Sequence, residues 1–89
     1  MEFGFDLAKS VANEAKHGID FTAAQALWDD PDVIEIPART SDEPRWVAVG
    51  RTGDGYWSAI VTRRDEWVRI ISVRRSRREE VLLHEGEGS

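Results

Sequence analysis

The sequence predicts an α+β domain: an antiparallel sheet of about four strands flanked by two N-terminal helices and one C-terminal helix. Three observations predict it. Helix-capping patterns stand near both ends of the chain, alternating apolar runs joined by short turns fill the middle, and 89 residues leave room for one core only. Residues 1–89 are therefore expected to form a single domain.

Met1 to Phe5 alternates weakly and reads as a possible short strand. Asp6 is placed to cap a helix running to about Lys16, with Leu7, Val11, Ala12 and Ala15 on one face. Lys16, His17 and Gly18 form its stop: cations in the last turn, glycine just beyond. Thr22 and Gln25 fit a capping box for a second helix from Phe21 to about Trp28, which Asp29-Asp30-Pro31 ends. Val33 to Ile36 reads as a strand, and Pro37 to Pro44 as a mobile polar loop. Arg45 to Gly50, Tyr56 to Thr62 and Trp67 to Val73 read as three further strands. The turns between them are Thr52-Gly-Asp-Gly55 and Arg63-Arg-Asp-Glu66. Trp46 and Trp57, on neighbouring strands, are candidates for a cross-strand pair. Ser76 and Glu79 form a capping box that opens the last helix through Val81, Leu82 and Leu83. Gly86 to Ser89 is expected to fray.

Charge separates the two halves of the chain. The formal net charge is -5, yet ten of the twelve cations are arginine and seven of these lie between Arg63 and Arg78. Residues 1–44 carry three basic and ten acidic side chains; residues 45–89 carry nine basic and seven acidic. A cationic strand on an acidic protein is a local feature. Guanidinium forks match phosphate oxygens, so phosphate, and RNA in particular, is the first partner to consider. An extended basic surface for duplex binding is lacking. There is no cysteine, hence no disulfide and no thiolate chemistry. Two histidines far apart lack metal-ligand spacing, so no cofactor or metal is expected. No signal-like N-terminus and no apolar run of roughly 20 residues is present, so a cytoplasmic protein without a membrane partner is expected.

On the last strand, strict alternation places Val68, Ile70, Ser72 and Arg74 on one face and Trp67, Arg69, Ile71 and Val73 on the other. Arg69 and Arg74 then point to opposite sides. The bland alternative for these arginines is pairing with Glu79, Glu80 or the N-terminal acids. Lys16 and His17 suit the helix dipole whether or not they have another role. As functional groups they offer a phosphate contact and an imidazole for proton transfer.

The segments Phe5-Asp-Leu-Ala-Lys9, Asn13, Lys16-His-Gly18, Phe21, Val49-Gly-Arg51 and Arg69-Ile-Ile-Ser-Val-Arg74 together resemble the BrnT family of bacterial toxins. The resemblance runs in order along nearly the whole chain. It implies a RelE-like fold and a metal-independent ribonuclease of a type II toxin–antitoxin system. It also implies a BrnA-like antitoxin as partner, with operon DNA bound only through the toxin–antitoxin complex. His84 stands where many members carry a tyrosine, offering an imidazole in place of a phenol. The implied reaction is attack of a ribose 2′-hydroxyl on the adjacent phosphate of single-stranded RNA. Arg74 and then Arg69 are the candidates for stabilising the transition state, Lys16 and His17 for proton transfer or phosphate binding, and Ser72 for orientation. Lys9, Arg51, Arg63, Arg75 and Arg78 are the candidate RNA-binding cations. The alternative is a non-catalytic module that binds an acidic partner through its arginine face.

Overall fold

The computed structural model describes residues 1–38, 43–53 and 55–86. The elements are β1 (Glu2–Gly4), α1 (Leu7–His17), α2 (Phe21–Ala24), a 3-10 segment (Gln25–Asp29), β2 (Ile34–Ala38), β3 (Arg45–Thr52), β4 (Gly55–Arg64), β5 (Trp67–Arg75) and α3 (Arg78–His84). The fold class is α+β, as expected, but the sheet has five strands in the order β1-β5-β4-β3-β2. It is mixed: β1 runs parallel to β5, while the other pairs are antiparallel. The weakly alternating N-terminal segment is thus a strand, and it reaches its partner across most of the chain.

The meander follows from local chemistry. Asp65 takes φ 55 at the β4–β5 turn, the left-handed conformation that aspartate tolerates and a two-residue hairpin needs. Pro37, expected in a loop, lies within β2. Because β2 is an edge strand, its missing N–H removes no bond from the interior of the sheet. The expected loop continues through residues 39–42, outside the described residues, as do Asp54 of the β3–β4 turn and residues 87–89 of the tail. Trp46 faces Val61 and Trp57 faces Gly50, so the register set by that turn does not pair the two tryptophans.

Helix ends agree with the sequence in part. Asp6 caps α1 by accepting from the Lys9 N–H at 3.1 Å, and Gly18 ends it at φ 84. The second helix is one α-helical turn followed by 3-10 geometry. Its cap is Asp20, which accepts from the Ala23 N–H at 2.7 Å, and not Thr22. At α3 the box is shifted by one residue: the Glu80 carboxylate accepts from the Arg77 N–H at 2.7 Å.

The expected apolar face of α1 is overturned. Leu7 and Val11 are 72% and 63% exposed, whereas Ser10 and Asn13 are buried. Backbone accounting explains why. β1 covers only Trp67 to Arg69 of β5, so the rest of that edge needs other partners. Asn13 supplies them: its Oδ1 accepts from the Val73 N–H at 3.1 Å, and its Nδ2 donates to the Val73 carbonyl at 3.0 Å and the Ile19 carbonyl at 2.8 Å. Ser10 Oγ accepts from the Phe21 N–H at 2.9 Å. The inner face of α1 is polar because it takes the place of a strand. The core lies between the sheet and the α2 segment, where Phe21, Ala24 and Leu27 meet Ala48, Trp57, Ala59, Val61, Val68, Ile70 and Val73.

Asn13→Ala should lower unfolding free energy by about 1–3 kcal/mol, since it strands buried backbone groups. Urea denaturation should show a lower midpoint with unchanged slope. An unshifted midpoint would mean that water or a neighbouring side chain serves that edge equally well.

Candidate nucleic-acid interface

The last strand does not alternate strictly. Ile70 pairs with Val61 and Ser72 pairs with Ile60, so Ile71 is an extra residue, a β-bulge that reverses the alternation beyond it. Val68, Ile70 and Val73 are all in the core. Trp67, Arg69, Ser72 and Arg74 therefore share the opposite face, and the expectation that Arg69 and Arg74 diverge is corrected. Direct cross-strand partners carry neighbouring side chains. The β4–β5 register sets Thr62 beside Arg69, with Arg64 and Trp67 paired next to them. The β3–β4 register, continued one residue past Trp46–Val61 to the first residue of β3, brings Arg45 into the same row.

The two ends of this face differ. At one end α3 covers it. Arg74 Nη1 and Nη2 donate to Glu80 Oε1 and Oε2 at 2.8 and 2.9 Å. Ser58 Oγ donates to Glu80 Oε1 at 2.9 Å and lies 2.8 Å from Ser76 Oγ. The Arg74 guanidinium holds the Glu80 carboxyl at about 2, aided by the Arg77 N–H and the Ser58 hydroxyl against the opposing effect of burial. Glu80 in turn raises Arg74. Beyond this pair, Tyr56 packs edge-on against His84 at 5.0 Å, and His84 Nε2 meets Asp30 Oδ2 at 2.7 Å. Burial alone would raise Asp30, but N–H groups of Asp32 and Arg51, together with His84, hold it below its ordinary value. The His84 side chain is 6% exposed, so its imidazole braces α3 against the loop after the 3-10 segment.

At the other end the face is uncovered. Arg64 and Arg69 are exposed and line a hollow of about 670 Å³ with Gly4, Phe5, Asp6, Glu43, Thr62, Asp65 and Trp67. Neither arginine makes an ion pair among the described residues. Arg45, next in the row, has a buried Nε without an acceptor among the described residues.

The other expected residues are dispersed. Arg63 is paired with Glu35, with Nε at 2.7 Å from Oε1, and this partner raises its pKa. Arg75 stacks on Trp57 with its guanidinium carbon 4.0 Å from the ring centroid, and Arg51 lies 5.6 Å from that of Tyr56. Arg78 is exposed in the first turn of α3, and Lys9 is exposed in the first turn of α1. α1 starts beside the hollow, at Asp6, and reaches Val73 through Asn13. Lys16 and His17 thus stand toward the Arg74–Arg75 end of β5, away from Arg69. Neither makes a side-chain hydrogen bond or ion pair among the described residues. Arg45, Thr62 and Arg64 were missed as site residues because their alignment arises from strand register. Among the described residues no His/Asp/Glu cluster suited to a metal ion is found, and no helix is long and apolar enough to cross a membrane.

A family model described as "Ribonuclease toxin, BrnT, of type II toxin-antitoxin system" matches residues 5–80. No curated protein matches the chain significantly.

The Glu80–Arg74 pair makes a pH prediction. A carboxyl held below its ordinary value stabilises the fold above the ordinary pKa of 4.5 and loses that contribution as pH falls toward about 2. Stability should drop by up to about 3 kcal/mol across that window. Glu80→Gln should be less stable at pH 6 and show a flatter acid limb in denaturation at stepped pH.

Proposed function

This chain belongs to the BrnT family of ribonuclease toxins of type II toxin–antitoxin systems, and on that premise we propose that it is a cytoplasmic, metal-independent endoribonuclease. Its RelE-like fold would present single-stranded RNA to the uncovered end of the second sheet face. One observation carries the reading: three guanidiniums, Arg45, Arg64 and Arg69, gather on that end of an otherwise acidic chain, without acid partners among the described residues. Arginines that serve the fold alone are neutralised, as Arg74 is by Glu80 and Arg63 by Glu35.

The reaction is attack of a 2′-oxygen on the adjacent phosphorus with loss of the 5′-oxygen. The hydroxyl proton leaves as the attacking bond forms, and the 5′-oxygen takes up a proton as the old bond breaks. Cations around the phosphorane lower its energy most where water is scarce. Arg69 is assigned to the scissile phosphate, with Arg45 two strands away, about 10 Å, on the next one. Thr62 between them and Ser72 on the same face offer hydroxyls to orient the backbone. A proton-transfer group must reach the reacting oxygen directly or through one water. Lys16 and His17 lie roughly 15 Å farther along β5, so we assign them, with Lys9, Arg75 and Arg78, to the RNA backbone outside the reacting linkage. Arg74 keeps α3 in place. A BrnA-like antitoxin that covers the Arg69 end would block activity, and operon DNA would be contacted through that complex.

Purified protein should cut single-stranded RNA in excess chelator, and expression without antitoxin should arrest growth. Arg69→Ala should lower the cleavage rate by about 10²–10³ with an unchanged circular dichroism spectrum, by analogy with a lost oxyanion donor. Arg74→Ala should instead unfold at lower urea. Protein that is harmless in cells and inert toward RNA would remove the ribonuclease reading in favour of a binding module. Full activity of Arg69→Ala would remove that residue's role alone.

A further inference from the structure

Trp67 is 50% exposed, although a large aromatic at the start of a strand beside a core gains by burial. It is held by Gly4. A Cβ at residue 4 would come within 2.8 Å of the indole Cζ3 and 3.1 Å of Cε3, so the ring rests on glycine backbone and any side chain there would displace it. The parallel pairing of β1 with β5 fixes this contact, since Glu2 is opposite Trp67 and Gly4 opposite Arg69. The ring borders the hollow that Arg64 and Arg69 also line.

The lining is mixed in sign. Asp6 and Asp65 face the same space. A phosphate deep within it would meet carboxylates as well as guanidiniums. A nucleobase would not: its π-face can lie on the indole, its N–H edge can donate to a carboxylate, and its own phosphates stay at the rim with the arginines. The base must be unstacked and unpaired to enter, which selects single-stranded RNA over a duplex.

We propose that the Trp67 hollow is a nucleobase subsite of the ribonuclease, in which one unpaired base stacks on Trp67 while Arg64 and Arg69 hold its flanking phosphates. This deepens the function proposed above and rests on it. Aromatic–base stacking is sequence-tolerant, so the subsite positions the chain against Arg69 more than it reads a sequence.

The test uses full-length protein and two uncleavable single-stranded ligands of equal length: a 2′-O-methyl RNA 12-mer, and the same sugar–phosphate chain without bases. Trp67→Ala should bind the base-bearing ligand about ten- to a hundredfold more weakly than wild type and the abasic chain equally well. Trp67→Phe should recover most of the affinity. The first ligand should quench the tryptophan emission of the wild type more than that of Trp67→Ala, which keeps Trp28, Trp46 and Trp57, and the second ligand should quench both alike. Equal binding of the base-bearing ligand by wild type and Trp67→Ala overturns the subsite, as does an equal loss on both ligands, which would mark structural damage. If wild type then still cleaves unmodified RNA, only the subsite is lost. If wild type neither binds nor cleaves, the ribonuclease reading fails and takes the subsite with it.

Discussion

A short first strand leaves one edge of β5 half paired, and the side-chain amide of Asn13 extends the pairing to Val73. Buried peptide groups must find partners, and Val73 finds both of its own on this one residue. Val73 lies just beyond the inserted Ile71. The amide therefore holds the strand where its alternation has reversed. Without that reversal Arg69 and Arg74 would lie on opposite sides of the sheet. With it, Trp67, Arg69, Ser72 and Arg74 form one line along one face.

That line crosses two electrostatic regimes. Under α3, Arg74 is satisfied by a carboxylate that is itself buried, so each partner would be costly to leave alone. Past the reach of α3, Arg69 and Arg64 stand in solvent, and Arg45 Nε has no acceptor among the described residues. Like charges gathered on one sheet face repel, and the arrangement is most favourable when an anion lies across it. A chain with an acidic majority can hold such a patch while carboxylates such as Glu80 and Glu35 neutralise Arg74 and Arg63 elsewhere.

Much of this was legible in the residues. Asp6 and Gly18 bracket α1 by local chemistry alone, and the three hairpin strands follow from alternation and turns. The family resemblance anticipated the family match. What escaped was non-local. A bulge depends on the partner strand, so the side taken by Arg69 relative to Arg74 has no signature within β5. The outward Leu7 and Val11 follow from a bonding deficit on another element, which periodicity along α1 does not reveal. Pairing of Arg74 with Glu80 was weighed as the plain alternative, and the choice between it and a free cation depends on where α3 lands. Arg45 and Thr62 joined the row only through register.

The parallel pairing of β1 with β5 has a consequence for synthesis. Glu2 leaves the ribosome 65 positions ahead of its partner Trp67. The edge strand must wait, unpaired, until most of the chain has emerged, a delay of several seconds at about 5–20 residues per second. Since Gly4 to Asp6 and Trp67 to Arg69 enclose the same space, a nascent chain has no such space to offer. The hollow closes only once β5 has emerged and β1 has paired with it.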